Sequence, residues 1–234
     1  MQLNFAAKEV VLKLVYYGPA LSGKTTNLQA LHDKAEDGAR GRLMTLATRD
    51  DRTLFFDVLP LTLQSDTGMT VRIKVFTVPG QVIHASTRRY VLQGADGVAF
   101  VADSQLAEAE ANAAAFRDLR SNLEELGRPI KEMPLVLQFN KRDMSGVRSD
   151  DELKALAAKG REPIYPAVAL KGEGVVECFL GLLNLTMKRL EQDHQLATKT
   201  GLRREDVLRS TAKQFGVQGR EQQMLCMDVL GRGT

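Results

Sequence analysis

The chain has 234 residues, of which 44% are hydrophobic and 26% are charged, proportions that exclude a wholly disordered or fibrous protein. The 32 basic and 29 acidic residues leave a formal net charge of +3, which is too balanced to favour a nucleic-acid-binding protein. No apolar run approaches the roughly 18 residues that a bilayer-spanning helix needs, and the first residues lack a secretory signal. Two cysteines, Cys178 and Cys226, exclude a disulfide framework. We therefore expect a reduced, cytoplasmic protein with one large domain, or one domain and an appendage.

Apolar runs alternate with helical patterns along the chain, which predicts an α/β fold with a doubly wound, mostly parallel sheet flanked by helices. The first strand is predicted at residues 10–17, and the first helix follows over residues 24–35. An alternating strand at 71–77 follows a turn signal, so residues 61–64 are expected to pair with it antiparallel. The remaining predicted elements are buried strands at 98–102, 135–139 and 164–170 and helices over 106–126 and 174–190.

The composition changes after residue 190, where proline is absent and glutamine becomes frequent. We expect residues 1–190 to form one domain and residues 191–234 to form a partly helical extension. One apolar patch lies on a helical face between residues 207 and 215, and a second lies between residues 224 and 230. Because exposed apolar patches are unfavourable, we expect both to dock on the domain or on a partner, the alternative being a disordered tail.

Residues 18–25, Gly-Pro-Ala-Leu-Ser-Gly-Lys-Thr, form the strongest motif in the chain. They fit the pattern G-x-x-x-x-G-K-[ST] and lie between a predicted strand and helix, where backbone N–H groups and the helix N-terminus bind phosphate. The lysine supplies positive charge between the β- and γ-phosphates, and the threonine hydroxyl is a candidate Mg²⁺ ligand. An ordinary glycine turn is the alternative, but it does not account for the flanking strand and helix. The predicted nucleotide-binding residues here are Gly18, Leu21, Ser22, Gly23, Lys24, Thr25 and Thr26.

The sequence Asn140-Lys141-Arg142-Asp143 follows a predicted buried strand, at the sheet edge where open α/β folds bind ligands. The carboxylate of Asp143 can accept hydrogen bonds from N1–H and the N2 amine of guanine, whereas adenine offers neither of these donors. Asn140 is expected to tie the base loop to the phosphate loop, and the stem of Lys141 is expected to cover the base. A solvated charged turn is the alternative, which the preceding phosphate-binding motif disfavours. The pattern therefore predicts a guanine nucleotide.

Residues 77–81, Thr-Val-Pro-Gly-Gln, end the alternating strand. Ras-like small GTPases carry Asp-x-x-Gly-Gln at this place. The combination with Thr77 and Pro79 resembles the MglA branch of that superfamily, the bacterial polarity and gliding-motility GTPases. The resemblance covers residues 3–190, and the extension after residue 190 lies outside it. It rests on the strings at residues 14–17, 51–57, 77–81, 100–104 and 140–143.

The resemblance implies roles for five further residues. Thr53 matches the threonine that closes onto Mg²⁺ and the γ-phosphate, and Arg52 matches an arginine finger built into the chain. Gln81 is implied to position the attacking water, and Gly80 to contact the γ-phosphate. The backbone N–H of Ala169 is implied to reach guanine O6. A surface threonine, a solvated arginine and a plain polar turn are the respective alternatives for Thr53, Arg52 and Gln81.

One residue departs from the family pattern, and one basic pair follows the predicted site residues. Thr77 replaces the family aspartate, so Mg²⁺ is expected to depend on Thr25, Thr53 and the phosphates. Beyond the glutamine, Arg88 and Arg89 are expected to form an exposed face that partners can contact.

The resemblance implies a switch that binds GTP or GDP with Mg²⁺, hydrolyses GTP to GDP and phosphate, and controls polarity or motility machinery through GTP-dependent effectors. A Roadblock-type, MglB-like GTPase-activating protein is the implied regulator, and partners would recruit the switch to a cell pole. No lipidation signal occurs, so no stable membrane anchor is expected, and the chain alone is expected to be a monomer. Two alternatives stay open: a nucleotide-locked scaffold without turnover, and an ATP-dependent P-loop kinase, which Asp143 disfavours.

Overall fold

The described part of the chain is built on one eight-stranded sheet. The computed structural model describes residues 1–46, 56–65, 67–79 and 85–217. Within these residues the strands are β1 Gln2–Asn4, β2 Glu9–Tyr17, β3 Met44–Leu46, β4 Phe56–Gln64, β5 Thr70–Thr77, β6 Gly97–Asp103, β7 Leu135–Asn140 and β8 Ile164–Pro166. The helices are α1 Lys24–Lys34, α2 Ala85–Leu92, α3 Ala109–Glu125, α4 Asp150–Lys159, α5 Val175–His194, α6 Leu196–Thr200 and α7 Arg204–Gln214.

The strands run in the order β3-β4-β5-β2-β6-β7-β8, with β1 paired to β2. The strand β2 is rich in valine, leucine and tyrosine and pairs in parallel with β5 and with β6. Every residue of β6 is buried, as expected for a parallel strand covered on both faces. The predicted antiparallel pairing of 61–64 with 71–77 is confirmed, because Leu61 lies opposite Ile73 in the β4–β5 pair.

Helices cover both faces of this sheet. One buried apolar cluster lies on the side of α1, α5 and α7 and contains Leu28 and Leu183. The other lies on the side of α2, α3 and α4 and contains Leu119 and Leu153. The predicted doubly wound α/β fold is therefore confirmed. The carboxyl ends of the parallel strands β2, β6, β7 and β8 share one edge, where the loops that follow them converge.

Several predicted element boundaries differ from the structure, and the strand expected at residues 61–64 begins at Phe56. The last strand ends at Pro166 instead of reaching residue 170, because the chain turns back there and the N–H of Val168 donates to the carbonyl oxygen of Glu173. The helix α5 continues through residue 190 and ends at His194.

The prediction of an exposed basic pair is wrong for one of its two residues. Arg88 is only 7% exposed, because it lies on the side of α2 that faces α3. Arg89, the next residue, is exposed as predicted.

Part of the C-terminal extension is helical and packs on the sheet domain. Phe215 lies edge-on against Phe179 of α5, with ring centroids 5.6 Å apart. The side-chain amide of Gln214 donates to the carbonyl oxygen of Thr62 at 3.3 Å, and the N–H of Glu36 donates to the carbonyl oxygen of Gln214 at 3.0 Å. The first apolar patch is thus covered, whereas the second lies beyond the described residues. Across the described part of the chain, no helix is both long and apolar enough to cross a membrane.

Candidate nucleotide site

The phosphate loop connects β2 to α1 at the edge where the parallel strands end. Three of its residues have positive φ: Gly18 at 149°, Leu21 at 59° and Gly23 at 96°. A Cβ atom on Gly18 would lie 2.2 Å from the carbonyl oxygen of Val101, and one on Gly23 would lie 2.2 Å from Nδ2 of Asn140. Neither glycine can therefore be replaced without moving its neighbours. Both glycines thus lie close to the ends of β6 and β7.

Lys24 is the first residue of α1 and is 7% exposed. Its Nζ donates to the carbonyl oxygens of Gly18 at 3.0 Å and Pro19 at 2.6 Å. The pKa of Lys24 is lowered to about 8, mainly by burial and also by the positive charge of Arg88, while the negative charge of Asp57 partly opposes both effects. A phosphate group near Nζ would favour the charged lysine, so this arrangement suits an anionic ligand.

The N-terminus of α1 offers additional anion-binding capacity. Its first turn has no acidic residue, and no side chain caps the backbone N–H groups there. Such N–H groups carry partial positive charge and bind phosphate in other proteins. Thr25 is exposed and Thr26 is half-buried, so both lie within reach of a ligand at this end of the helix.

Asn140 joins the phosphate loop to the base loop, as expected. Its Nδ2 donates to the carbonyl oxygen of Ser22 at 2.9 Å, and its Oδ1 accepts from the N–H of Ala169 at 2.9 Å. All three residues are at most 2% exposed. Because the N–H of Ala169 already donates to Asn140, a contact from this group to guanine O6 would require the N–H to be shared or exchanged.

The remaining residues of the base motif face the opening between these loops. Lys141 has a positive φ of 64°, and its Nζ lies 2.6 Å from Oδ2 of Asp103, so the stem of the lysine is held in one direction. The carboxylate of Asp143 is about one-third exposed, and Oδ2 lies 3.7 Å from Nζ of Lys171. That loose pair leaves acceptor positions on Asp143 for the two adjacent donors of a guanine base.

Asp57 is a site residue to which the sequence analysis assigned no role. Its carboxylate is buried at the start of β4 and accepts hydrogen bonds from three threonines: from Thr25 at 2.7 Å, from Thr45 at 2.8 Å and from Thr77 at 3.1 Å. The backbone N–H of Asp57 also donates to the hydroxyl of Thr77, at 2.8 Å. Although Thr77 replaces the family aspartate, a carboxylate still lies beside this position, because Asp57 of the neighbouring strand supplies it.

The register of the β4–β5 pair explains this placement. Val58 lies opposite Phe76, so Asp57 comes next to Thr77 at the end of the pair. Extending the predicted pairing of residues 61–64 with 71–77 by four residues would have found the contact. The expectation that Mg²⁺ depends on Thr25, Thr53 and the phosphates alone leaves out this carboxylate.

The donor set around Thr25 fits a magnesium ion. A hydroxyl and a carboxylate are oxygen ligands of the kind that Mg²⁺ prefers, and Mg²⁺ is usually held by one or two such groups together with substrate phosphates. In the described ranges no cluster of three or more His, Cys, Asp or Glu side chains could hold a metal ion. A threonine hydroxyl and a carboxylate suit an ion that nucleotide phosphates also bind.

Four predicted site residues, Arg52, Thr53, Gly80 and Gln81, lie outside the described residues. The strands β4 and β5 are next to these residues in sequence. Asp57 of β4 accepts hydrogen bonds from Thr25 at the end of the phosphate loop and from Thr77 of β5.

Strand order, phosphate loop and base loop together define a P-loop nucleotide-binding domain of the Ras-like type. The mutual gliding-motility protein MglA of Myxococcus xanthus (strain DK1622) is 42% identical to the chain over 190 residues, which cover 81% of this chain and 97% of that protein. The chain therefore belongs to the MglA family of Ras-like small GTPases, and the predicted resemblance is confirmed. No protein-family profile matches the sequence.

Proposed function

We propose that the protein binds GTP and GDP at this site and acts as a switch that hydrolyses GTP to GDP and phosphate. The observation that carries the proposal is the pair of hydrogen bonds that Asn140 makes, since it donates to Ser22 and accepts from Ala169 and so fixes the base loop against the phosphate loop. A site arranged in advance loses less entropy on binding than one that must be assembled. Asp143 then selects guanine, because its carboxylate would lack both donors opposite adenine.

The phosphates are bound by the loop N–H groups, by the N-terminus of α1 and by Lys24. Thr25 is the proposed direct ligand of Mg²⁺ and Asp57 accepts from it, so the carboxylate orients the threonine hydroxyl. Thr53 is the second proposed ligand. The ion, when bound, neutralises charge on the phosphates.

Hydrolysis is proposed to depend on Arg52 and Gln81. The glutamine orients the attacking water, and the arginine neutralises charge that develops on the transferred phosphoryl group. An arginine supplied by a separate activating protein is worth about 10³–10⁵ in rate. An arginine within the chain can do the same work if a partner pushes its loop toward the phosphates.

The partner is proposed to be a Roadblock-type, MglB-like GTPase-activating protein, and the GTP-bound form is proposed to bind effectors. The named relative is a gliding-motility protein, which supports control of motility or cell polarity as the process. Recruitment of the protein to a cell pole through these partners is part of the same proposal.

Two measurements test the function. Competition of GTP, GDP and ATP against a fluorescent GDP analogue should show selection of guanine, and equal competition by ATP would contradict it. Multiple-turnover phosphate release should accelerate with a Roadblock partner in the wild-type chain. Arg52→Ala and Gln81→Leu should bind both guanine nucleotides normally and lose roughly a hundredfold or more of that stimulated rate. Tight binding without turnover in the wild type would instead support a nucleotide-locked scaffold.

A further inference from the structure

An ion pair between a buried arginine and a carboxylate that is about one-third exposed joins α2 to α3 on the side of the sheet away from α1 and α5. The guanidinium of Arg88 approaches the carboxylate of Asp118 along one edge, with Nε 2.8 Å from Oδ2 and Nη2 donating to Oδ1 at 3.3 Å. The arginine side chain is 8% exposed. A buried guanidinium is strongly destabilising without a charged partner, so the position of Arg88 is tied to that of Asp118.

Two further side chains fix the carboxylate in this pair. The hydroxyl of Tyr17 donates to Oδ2 of Asp118, and Nδ2 of Asn122 donates to the tyrosine hydroxyl at 3.2 Å. Burial raises the pKa of Tyr17, and the hydrogen bond to Asp118 adds to this, so the phenol stays protonated as a donor. The cluster of Tyr17, Arg88, Asp118 and Asn122 is called the α2–α3 cluster below.

The α2–α3 cluster connects two parts of the nucleotide site. Tyr17 is the last residue of β2 and directly precedes Gly18 of the phosphate loop. Arg88 lies in the first half of an eight-residue helix that begins at Ala85, four residues after Gln81. The positive charge of Arg88 is also one cause of the lowered pKa of Lys24, which indicates that the guanidinium lies near the phosphate loop.

The two ends of α2 are held by different kinds of contact. Val91 and Leu92 are buried in the apolar cluster and hold the C-terminal end. Arg88 lies one turn earlier in the helix, and it is held by directed contacts. Directed ion-pair contacts fix orientation better than apolar packing does.

We propose, on the basis of the proposed function, that Arg88 is a positioning residue for GTP hydrolysis. Its ion pair with Asp118, which also accepts from Tyr17, fixes the start of α2 against the end of β2, and α2 is the helix that follows Gly80 and Gln81 in sequence. Displacement of a reacting group by about 1 Å can reduce a rate about a hundredfold, so the cluster affects the chemical step without touching the nucleotide. GDP binding depends on other residues and is not part of this role.

The chain supplies a matched control for the test. Arg89 pairs with Glu125, so a second ion pair links the same two helices, but both of its side chains are about half-exposed. Arg88→Gln and Asp118→Asn break the ion pair of the buried arginine, and Arg89→Gln breaks the exposed one. For each full-length variant, GDP affinity, unfolding in urea and single-turnover hydrolysis at saturating GTP are measured.

Arg88→Gln and Asp118→Asn should hydrolyse bound GTP about 10- to 100-fold more slowly than the wild type, with GDP affinity unchanged within about twofold. Arg89→Gln should match the wild type in all three measurements. The double variant Arg88→Gln/Asp118→Asn should lose less than the product of the single losses, because both changes break one ion pair. Arg88→Lys, which keeps the charge without the planar fork, should be intermediate.

Unchanged hydrolysis at saturating GTP in the Arg88 and Asp118 variants would overturn the proposal. A rate loss that is matched by an equal loss of GDP affinity would also overturn it, since that result describes a general structural role. If both variants fail to fold, Tyr17→Phe removes a single hydroxyl, and its hydrolysis rate must fall several-fold with GDP affinity kept. A wild-type chain that binds GTP without hydrolysing it would contradict the proposed function itself, and the two failures are thereby distinguished.

Discussion

Replacing Asn140 by alanine should damage both the stability of the chain and its affinity for nucleotide. The substitution removes the acceptor for the N–H of Ala169 and the donor to the carbonyl oxygen of Ser22. Both backbone groups belong to buried residues, so water does not readily replace the lost partner. The phosphate loop and the base loop would then no longer be held at a fixed separation.

The magnitude follows from those two orphaned groups. A buried donor or acceptor left without a partner costs about 1–3 kcal/mol, so the free energy of unfolding should fall by about 2–6 kcal/mol. Asn112→Ala is the control, because Asn112 also accepts from one backbone N–H and donates to one backbone carbonyl, both of Asp103. The groups that Asn112 leaves without a partner belong to Asp103, which is also buried, so a comparable loss of stability of about 2–6 kcal/mol is expected and only the affinity for GDP should separate the two variants.

Urea unfolding at one fixed GDP concentration measures the stability of both variants, because bound nucleotide itself stabilises the fold by mass action. Titration with a fluorescent GDP analogue measures affinity, which should fall for Asn140→Ala and stay unchanged for Asn112→Ala. A loss of less than about 0.5 kcal/mol for Asn140→Ala, with unchanged GDP affinity, would refute the reasoning.

Three other outcomes are expected. Asp143→Asn should weaken GTP binding by about 1–3 kcal/mol or more and improve binding of xanthosine triphosphate, and equal GTP affinity in a competition titration would contradict the guanine assignment. Because the pKa of Lys24 is lowered to about 8 from 10.5, the unfolded chain binds more protons than the folded chain between these pH values. The free energy of unfolding of the nucleotide-free chain should therefore rise from pH 8 to 10.5 by at most about 3 kcal/mol, and Lys24→Met should flatten that rise in urea titrations. Phe215→Ala should cost about 3–5 kcal/mol of stability and leave GDP affinity unchanged within error, since it removes only packing against Phe179; a tenfold loss of affinity would contradict this.

The parts of the fold that were predictable depend on local signals. The phosphate loop is marked by two glycines and a lysine at fixed spacing, and the strand before it by a run of valine, leucine and tyrosine. The end of the last strand was mispredicted because its boundary depends on a turn between Val168 and Glu173, which apolar periodicity does not report.

The parts that were missed depend on contacts between distant segments. Asp57 acts through the register of two strands, 20 residues away from Thr77 in sequence. Arg88 looks like its exposed neighbour Arg89 in the sequence, and only the packing of α2 on α3 separates them. Local patterns do not distinguish a buried arginine from a solvated one, because the difference lies in a partner such as Asp118, 30 residues away.

The two halves of the site rest on different kinds of contact, and this difference predicts which substitutions affect which step. The base and phosphate loops are held to each other by buried hydrogen bonds to backbone atoms, which favour tight binding of either nucleotide. The elements next in sequence to the proposed γ-phosphate residues are instead held by contacts between side chains. These are the contact of Asp57 in β4 with Thr25 and that of Arg88 in α2 with Asp118. Substitutions in the first set should therefore change GDP affinity. Substitutions of Arg88 should change the rate of hydrolysis, because GDP has no γ-phosphate for that half of the site to sense.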